Sequence, residues 1–148
     1  MVLVQHILDP ARRRLAVLHG EGSLCDAAAI LANPDSPLVV VCNTDGIVVG
    51  VITRSDIVKV LASARADALD LNAEAIMTTP VLSCHVDETL AQIWATLCSR
   101  SLRCAPIVDD EGRPQGVVHA RDVASALLDE VTHEEVLLRD YVLGVGYQ

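Results

Sequence analysis

The chain has 148 residues, of which 51% are hydrophobic and 21% charged, a balance that fits a globular fold and excludes a disordered or fibrous chain. A formal net charge of −9 repels a phosphate backbone and argues against a nucleic-acid partner; among the basic residues only Arg12, Arg13 and Arg14 stand together, a thin patch. No stretch has the length of a membrane span or the form of a targeting signal, and five cysteines without a C-x-x-C pair point to reduced thiols in the cytoplasm.

The core must be aliphatic, because the chain has no Phe, one Trp and two Tyr. The apolar run Leu15–Leu18 is expected as a first strand. Ser23 is placed to cap a helix whose Leu24, Ala27, Ala28 and Leu31 share one face. A β-hairpin follows: Leu38–Cys42, the turn Asn43-Thr44-Asp45-Gly46, and Ile47–Ile52, with the glycine supplying the positive φ that the turn requires. A second helix opens at Ser55-Asp56 and carries Ile57, Val60 and Leu61. Ser63–Ala75, rich in Ala and Asp, reads as a helical linker.

The same series then returns. Val81–Val86 is expected as a strand, and Thr89, or Asp87 just before it, as the cap of a helix bearing Leu90, Ile93, Trp94 and Leu97. Cys104–Val108 and Gln115–Val118 flank the turn Asp109-Asp110-Glu111-Gly112, and a last helix opens at Arg121-Asp122. The pairs Leu24/Leu90, Leu31/Leu97, Gly46/Gly112, Gly50/Gly116, Asp56/Asp122 and Leu61/Leu127 all share an offset of 66 residues, which marks an internal duplication. Residues 1–64 make the first unit with its lead-in, 65–76 the linker, 77–130 the second unit, and 131–148 a helical tail. The tail carries Val136, Leu137 and Tyr141 on one face and ends loosely at Gly144–Gly146; packing on its own module is the simpler expectation, a partner or dimer surface the alternative. Half the chain holds too little core to be stable alone, so the fold class is α/β (α+β): two βαββα units related by a pseudo-twofold axis, packed sheet to sheet.

At the strand-to-helix junction Thr53-Arg54-Ser55-Asp56, free N–H groups favour a phosphate and Thr53 and Ser55 add hydroxyl donors. Arg54 supplies charge for phosphate, and Asp56 either accepts the hydroxyls of a ribose or caps the helix. The second junction departs from this, with His119-Ala120-Arg121-Asp122. His119 reads first as a plain strand-end histidine; the alternatives are a neutral imidazole that donates one hydrogen bond to phosphate or a group that makes the site respond to pH, and the two sites are expected to differ. None of His6, His19, His85, His119 and His133 shows metal spacing, and no nucleophile, phosphate-loop or acid–base motif is present; neither catalysis nor a cofactor is expected.

The run Val-Cys-Asn-Thr-Asp-Gly to Gly50-Val51-Ile52-Thr53-Arg54-Ser55-Asp56, its copy ending Gly116-Val117-Val118-His119-Ala120-Arg121-Asp122, the lead-in Met77-Thr78-Thr79-Pro80-Val81 and the strand Arg103-Cys104-Ala105-Pro106-Ile107-Val108-Asp109 resemble the CBS domain. In tandem the two copies look like a Bateman module of the stand-alone bacterial type, over about Leu8 to Val131. The resemblance implies a regulatory homodimer that binds AMP, ADP, ATP, NAD or S-adenosylmethionine between its units and acts in trans on a regulated protein the sequence does not name. It assigns sugar and phosphate contacts to Thr53 and Asp56, with His119 and Asp122 as the altered second pair. Adenine is expected against Thr79, Pro80, Val81, Arg103, Cys104 and Ala105 in one cleft, and against Leu15, Ala16, Val17, Ser36, Pro37 and Leu38 in the other. A ligand-free scaffold that kept the fold is the alternative function, and an enzyme a distant third.

Overall fold

The computed structural model describes residues 1–143; the loose end expected at Gly144–Gly146 lies outside them. The first unit holds β1 (Val17–His19), α2 (Leu24–Leu31), β2 (Val39–Cys42), β3 (Val48–Ile52) and α3 (Arg54–Ala62), after α1 (Leu8–Arg13). The second holds α5 (Leu90–Ser99), β4 (Cys104–Val108), β5 (Pro114–His119) and α6 (Ala120–Val142), after the short α4 (Ala73–Ile76).

Local chemistry explains most boundaries. Ser23 and Thr89 cap α2 and α5, each accepting from the N–H three residues on, while Asp26 and Gln92 reach back to the cap residues' own N–H groups. At the hairpins, Asn43 Oδ1 accepts from the N–H groups of Asp45 and Ile47, and Asp109 Oδ1 from those of Glu111 and Arg113. Gly46 and Gly112 complete these turns at φ values of +79° and +85°.

In the first sheet β1 runs parallel to β2, and β2 antiparallel to β3; β2 is buried along its whole length, as a central strand covered on both faces must be. The second sheet pairs β4 with β5 alone. The strand expected over Val81–Val86 does not form, and only one parallel bridge, Cys84 to Ile107, stands where the first unit has β1. The reason lies in Pro106. Its repeat mate Val40 donates its N–H to the Ala16 carbonyl at 2.8 Å, whereas proline has no N–H to donate.

The linker is not a continuous helix: 63–75 holds a 3-10 turn, Ala68–Asp70, and the start of α4. The lead-ins are exchanged between units. Val4 and Ala11, which precede the first unit, are fully buried in the core of the second, with Cys84, Leu90, Ile93, Leu97, Ile107, Val118 and Val123. Ala73 and Ile76, which precede the second, are buried in the first with Leu24, Ala27, Leu31, Val39, Val41 and Ile52. Two glycines permit the exchange: Ala11 lies against Gly116 and its repeat mate Met77 against Gly50. A third cluster, Leu38, Val40, Cys42 and Val117 with Leu15, Val48, Val51 and Cys104, packs one sheet on the other. The Val48 N–H also donates to the Gly112 carbonyl at 3.0 Å across the units.

The tail is no separate element, for α6 runs unbroken to Val142. The expectation that it packs on its own module is not met at Val136 and Leu137, which are exposed. The reason is length. Val123 is the last fully buried residue of the helix, and its C-terminal half runs past the body it packs on.

Candidate functional site

At the start of α3, Thr53 is the cap and Arg54 the first helical residue, one position before the expected opening. Asp56 Oδ2 accepts the Thr53 N–H at 2.9 Å, and Asp56 Oδ1 accepts the Thr78 hydroxyl at 2.9 Å. Asp56 is therefore the returning half of a capping box and also ties the lead-in of the second unit to the first. Arg54 is turned toward its own unit: Nη2 donates to the carbonyls of Asn33 and Ser36, at 2.9 Å each, which clamps the loop before β2. Ser55 is exposed on the first turn.

The start of α6 is built differently. The His119 ring caps it, with Nδ1 accepting the Arg121 N–H at 3.0 Å. That bond leaves the proton of the neutral ring on Nε2, free to be donated. Burial first, then the charges of Arg121, Arg14 and Arg103, hold the His119 pKa below its usual value against the upward pull of Asp122. Asp122 forms an ion pair with Arg14, which also donates to the Val117 carbonyl; the Arg14 side chain is only 14% exposed. The Ala120 N–H is taken by the Arg103 carbonyl at 2.7 Å.

Between this helix start and the loop before β2 opens a cleft of about 490 Å³, lined by Pro10, Arg13, Arg14, Pro34, Asp35, Pro37, His119 and Arg121. Its size suits a small ligand. Among these lining residues three guanidiniums and an imidazole meet one carboxylate, Asp35, so the cleft is locally basic in an acidic chain. The cleft thus unites Pro37 with His119 and Arg121, residues the sequence reading put in separate groups. Pro10, Arg13, Arg14, Pro34 and Asp35 had not been expected there. The repeat carries the missing signal, since an offset of 66 maps Thr79 and Pro80 onto Arg13 and Arg14.

Other expected residues lie around rather than in it. Ser36, Ala16, Val81 and Ala120 are half-buried, while Val17, Thr79, Pro80 and Arg103 are exposed. Leu38 belongs to the core between the sheets and Ala105 to the core of the second unit, so neither side chain is available to a ligand as expected. Burial pushes the Cys104 thiol up to about 11, against the pull of Arg14, Arg103 and Arg121, so it is no thiolate nucleophile. All five cysteines are free. Among the described residues no helix is long and apolar enough to cross a membrane, and no group of three His, Cys, Asp or Glu is placed to hold a metal ion.

The model of the CBS domain matches residues 4–63 and again 73–129. The chain is a tandem CBS-domain protein. Among solved structures it is similar to the CBS-domain protein ATU1752 of Agrobacterium tumefaciens, at 29% identity and a TM-score of 0.72, over 84% of this chain and 92% of that one. It is also similar to the CBS domain pair of protein MJ0100, solved with 5′-methylthioadenosine and S-adenosyl-L-methionine, at 27% identity and a TM-score of 0.73, over 88% and 98% of the two chains. The L-aspartate semialdehyde sulfurtransferase of Methanocaldococcus jannaschii is 30% identical over 72% of this chain, which spans only 20% of that enzyme's length.

Proposed function

We propose that this CBS pair is a regulatory module that binds an adenosyl ligand in the cleft at the start of α6 and, as a homodimer in the cytoplasm, passes its occupancy to another protein in trans. The observation that carries the reading is the cleft itself: a basic pocket between the units, at the N-terminus of a 23-residue helix, in a chain of net charge −9. The MJ0100 pair, with its adenosyl ligands, supports it. Asp122 is one side-chain movement from use, because Arg14 can exchange its carboxylate for a ligand's phosphate. Catalysis is not part of the reading: the sulfurtransferase carries four-fifths of its length outside the match, and Cys104 is held protonated.

One observation favours the competing reading of a ligand-free scaffold, namely that Arg14 already occupies Asp122. A thermal-shift titration with AMP, ADP, ATP, NAD, S-adenosylmethionine and methylthioadenosine separates the two. A ligand at a hundred times its dissociation constant adds about 2.7 kcal/mol, a readily measured rise. A saturable shift with any of them supports the sensor; its absence with all six, in a folded protein, leaves the scaffold.

A further inference from the structure

We infer that Arg13, Arg14 and Arg121, with His119, make the α6 cleft select its ligand by phosphate charge, favouring a nucleoside di- or triphosphate over uncharged or cationic adenosyl compounds. The inference rests on the adenosyl reading above and assigns its ligand class.

The duplication provides an internal reference for these four positions. Arg13, Arg14, His119 and Arg121 have as repeat mates Thr79, Pro80, Thr53 and Ser55, none of which carries charge. Each half thus supplies two charged or imidazole side chains whose repeat mates in the other half are neutral, and the fold brings all four to one cleft from two separate segments, the end of α1 and the start of α6. The α6 turn adds its own positive end to the same space. On the opposing side, Asp122 is neutralised by Arg14, which leaves Asp35 as the one uncompensated carboxylate among the described lining residues. The neutral His119 offers Nε2–H as a further donor.

Such a set attracts phosphate oxygens and repels a sulfonium. Charge-assisted bonds from guanidinium to phosphate are short and strong, and losing one weakens binding by roughly tenfold or more. Arg13 and Arg121 are exposed and make no bond on which the fold depends, so they can be removed without touching the Arg14–Asp122 pair.

The test is calorimetric titration of the wild type and of R13A/R121A with adenosine, AMP, ADP, ATP, S-adenosylmethionine and inorganic tripolyphosphate, without magnesium and at two salt concentrations. The wild type is expected to bind with affinity rising about tenfold per added phosphate, to bind S-adenosylmethionine most weakly, and to lose affinity for ATP steeply with salt. In the double variant the series flattens, with about a hundredfold loss for ATP. Equal affinities across the series, or a series unchanged in the double variant, overturn the selectivity and leave the adenosyl reading standing. Tripolyphosphate binding lost in the double variant, with no adenosyl compound bound, overturns the adenosyl reading and leaves the phosphate subsite. Binding of none of the six overturns both.

Discussion

Gly50 and Gly116 occupy the same position in the two units, yet alanine at each should have different consequences. A Cβ built on Gly116 falls 2.9 Å from the Ala11 carbonyl carbon and 3.0 Å from its oxygen and Cβ, all backbone or backbone-fixed atoms. Relief requires α1 to lift from β5, which also disturbs the buried Val4. Overpacking of this kind costs about 1–3 kcal/mol. A Cβ on Gly50 meets the Met77 side chain instead, with Cγ at 2.6 Å and Cβ at 3.0 Å and the sulfur closer still. Methionine has three rotatable bonds, so its Cγ and sulfur can turn away and only the backbone-fixed Cβ contact at 3.0 Å remains, against three such contacts at Gly116. Neither glycine sits at positive φ, so alanine at both gains about 0.4–1 kcal/mol by restricting the unfolded chain. Gly50→Ala should therefore lie within about 1 kcal/mol of wild type, while Gly116→Ala loses about 1–2 kcal/mol, or ~2–8 °C in Tm for a chain of this size. Urea unfolding followed by circular dichroism measures both, and the m-value should stay unchanged. Equal losses at the two glycines would refute the distinction between a rigid backbone neighbour and a flexible side chain.

Asp122→Ala leaves Arg14 largely buried without a counter-charge, holding only its bond to the Val117 carbonyl, and should cost about 1–2 kcal/mol; Arg14→Ala should cost a similar amount, and the double variant less than the sum, as a double-mutant cycle will record. His119 faces Arg121 and Asp122 on its own helix, Arg14 after α1 and Arg103 before β4, and its pKa is depressed in the fold. The unfolded chain then takes up a proton near pH ~6.5 that the folded one refuses, so this contribution is full above that pH and is lost as pH falls through it. His119→Gln should flatten that part of the stability profile between about pH 7 and 5, and an unchanged slope would rule the contribution out. Burial holds the Cys84 thiol at about 12 and Cys104 at about 11, whereas Cys25 and Cys98 are exposed. Alkylation at neutral pH, read by peptide mass spectrometry, should mark Cys25 and Cys98 first; early labelling of Cys84 would contradict its burial.

What the sequence made legible was local or periodic. The 66-residue offset carried both hairpins, both turn glycines and the caps Ser23 and Thr89, because each depends on neighbours within four residues. The missing strand of the second unit was legible too, though less plainly: Pro106 stands where Val40 donates, and one absent N–H reduces the ladder to a bridge. The lead-in helix left a similar trace, for Val4, Ile7, Leu8 and Ala11 have the spacing of one helical face. That face could not reveal that it belongs to the other unit. Side-chain destinations were hidden altogether. Arg14 and Asp122 are 108 residues apart, and Arg54 reaches back 18 and 21 residues to two carbonyls, so no local pattern marks either contact.

The exchange of lead-ins ties the site to the assembly of the fold. Arg13 and Arg14 are reached through α1, which is anchored in the second unit's core, while Pro34, Asp35 and Pro37 belong to the first. Arg54 holds that loop to the start of α3, and Asp56 holds α3 to Thr78 in the lead-in of the second unit. A ligand in the cleft therefore touches both units, and any difference in its affinity for two arrangements biases their relative position. The helix on which it would rest is α6, 23 residues and about 35 Å long, whose far half leaves the body with Leu137, Leu138 and Val142 exposed. A small rotation of α6 at its N-terminus would, under the sensor reading, be carried along the continuous helix to that exposed end. Under the sensor reading, removing the Arg14–Asp122 pair should change hydrogen exchange along 131–143 as well as at the cleft. Protection confined to the cleft would mean that the two ends of α6 are uncoupled.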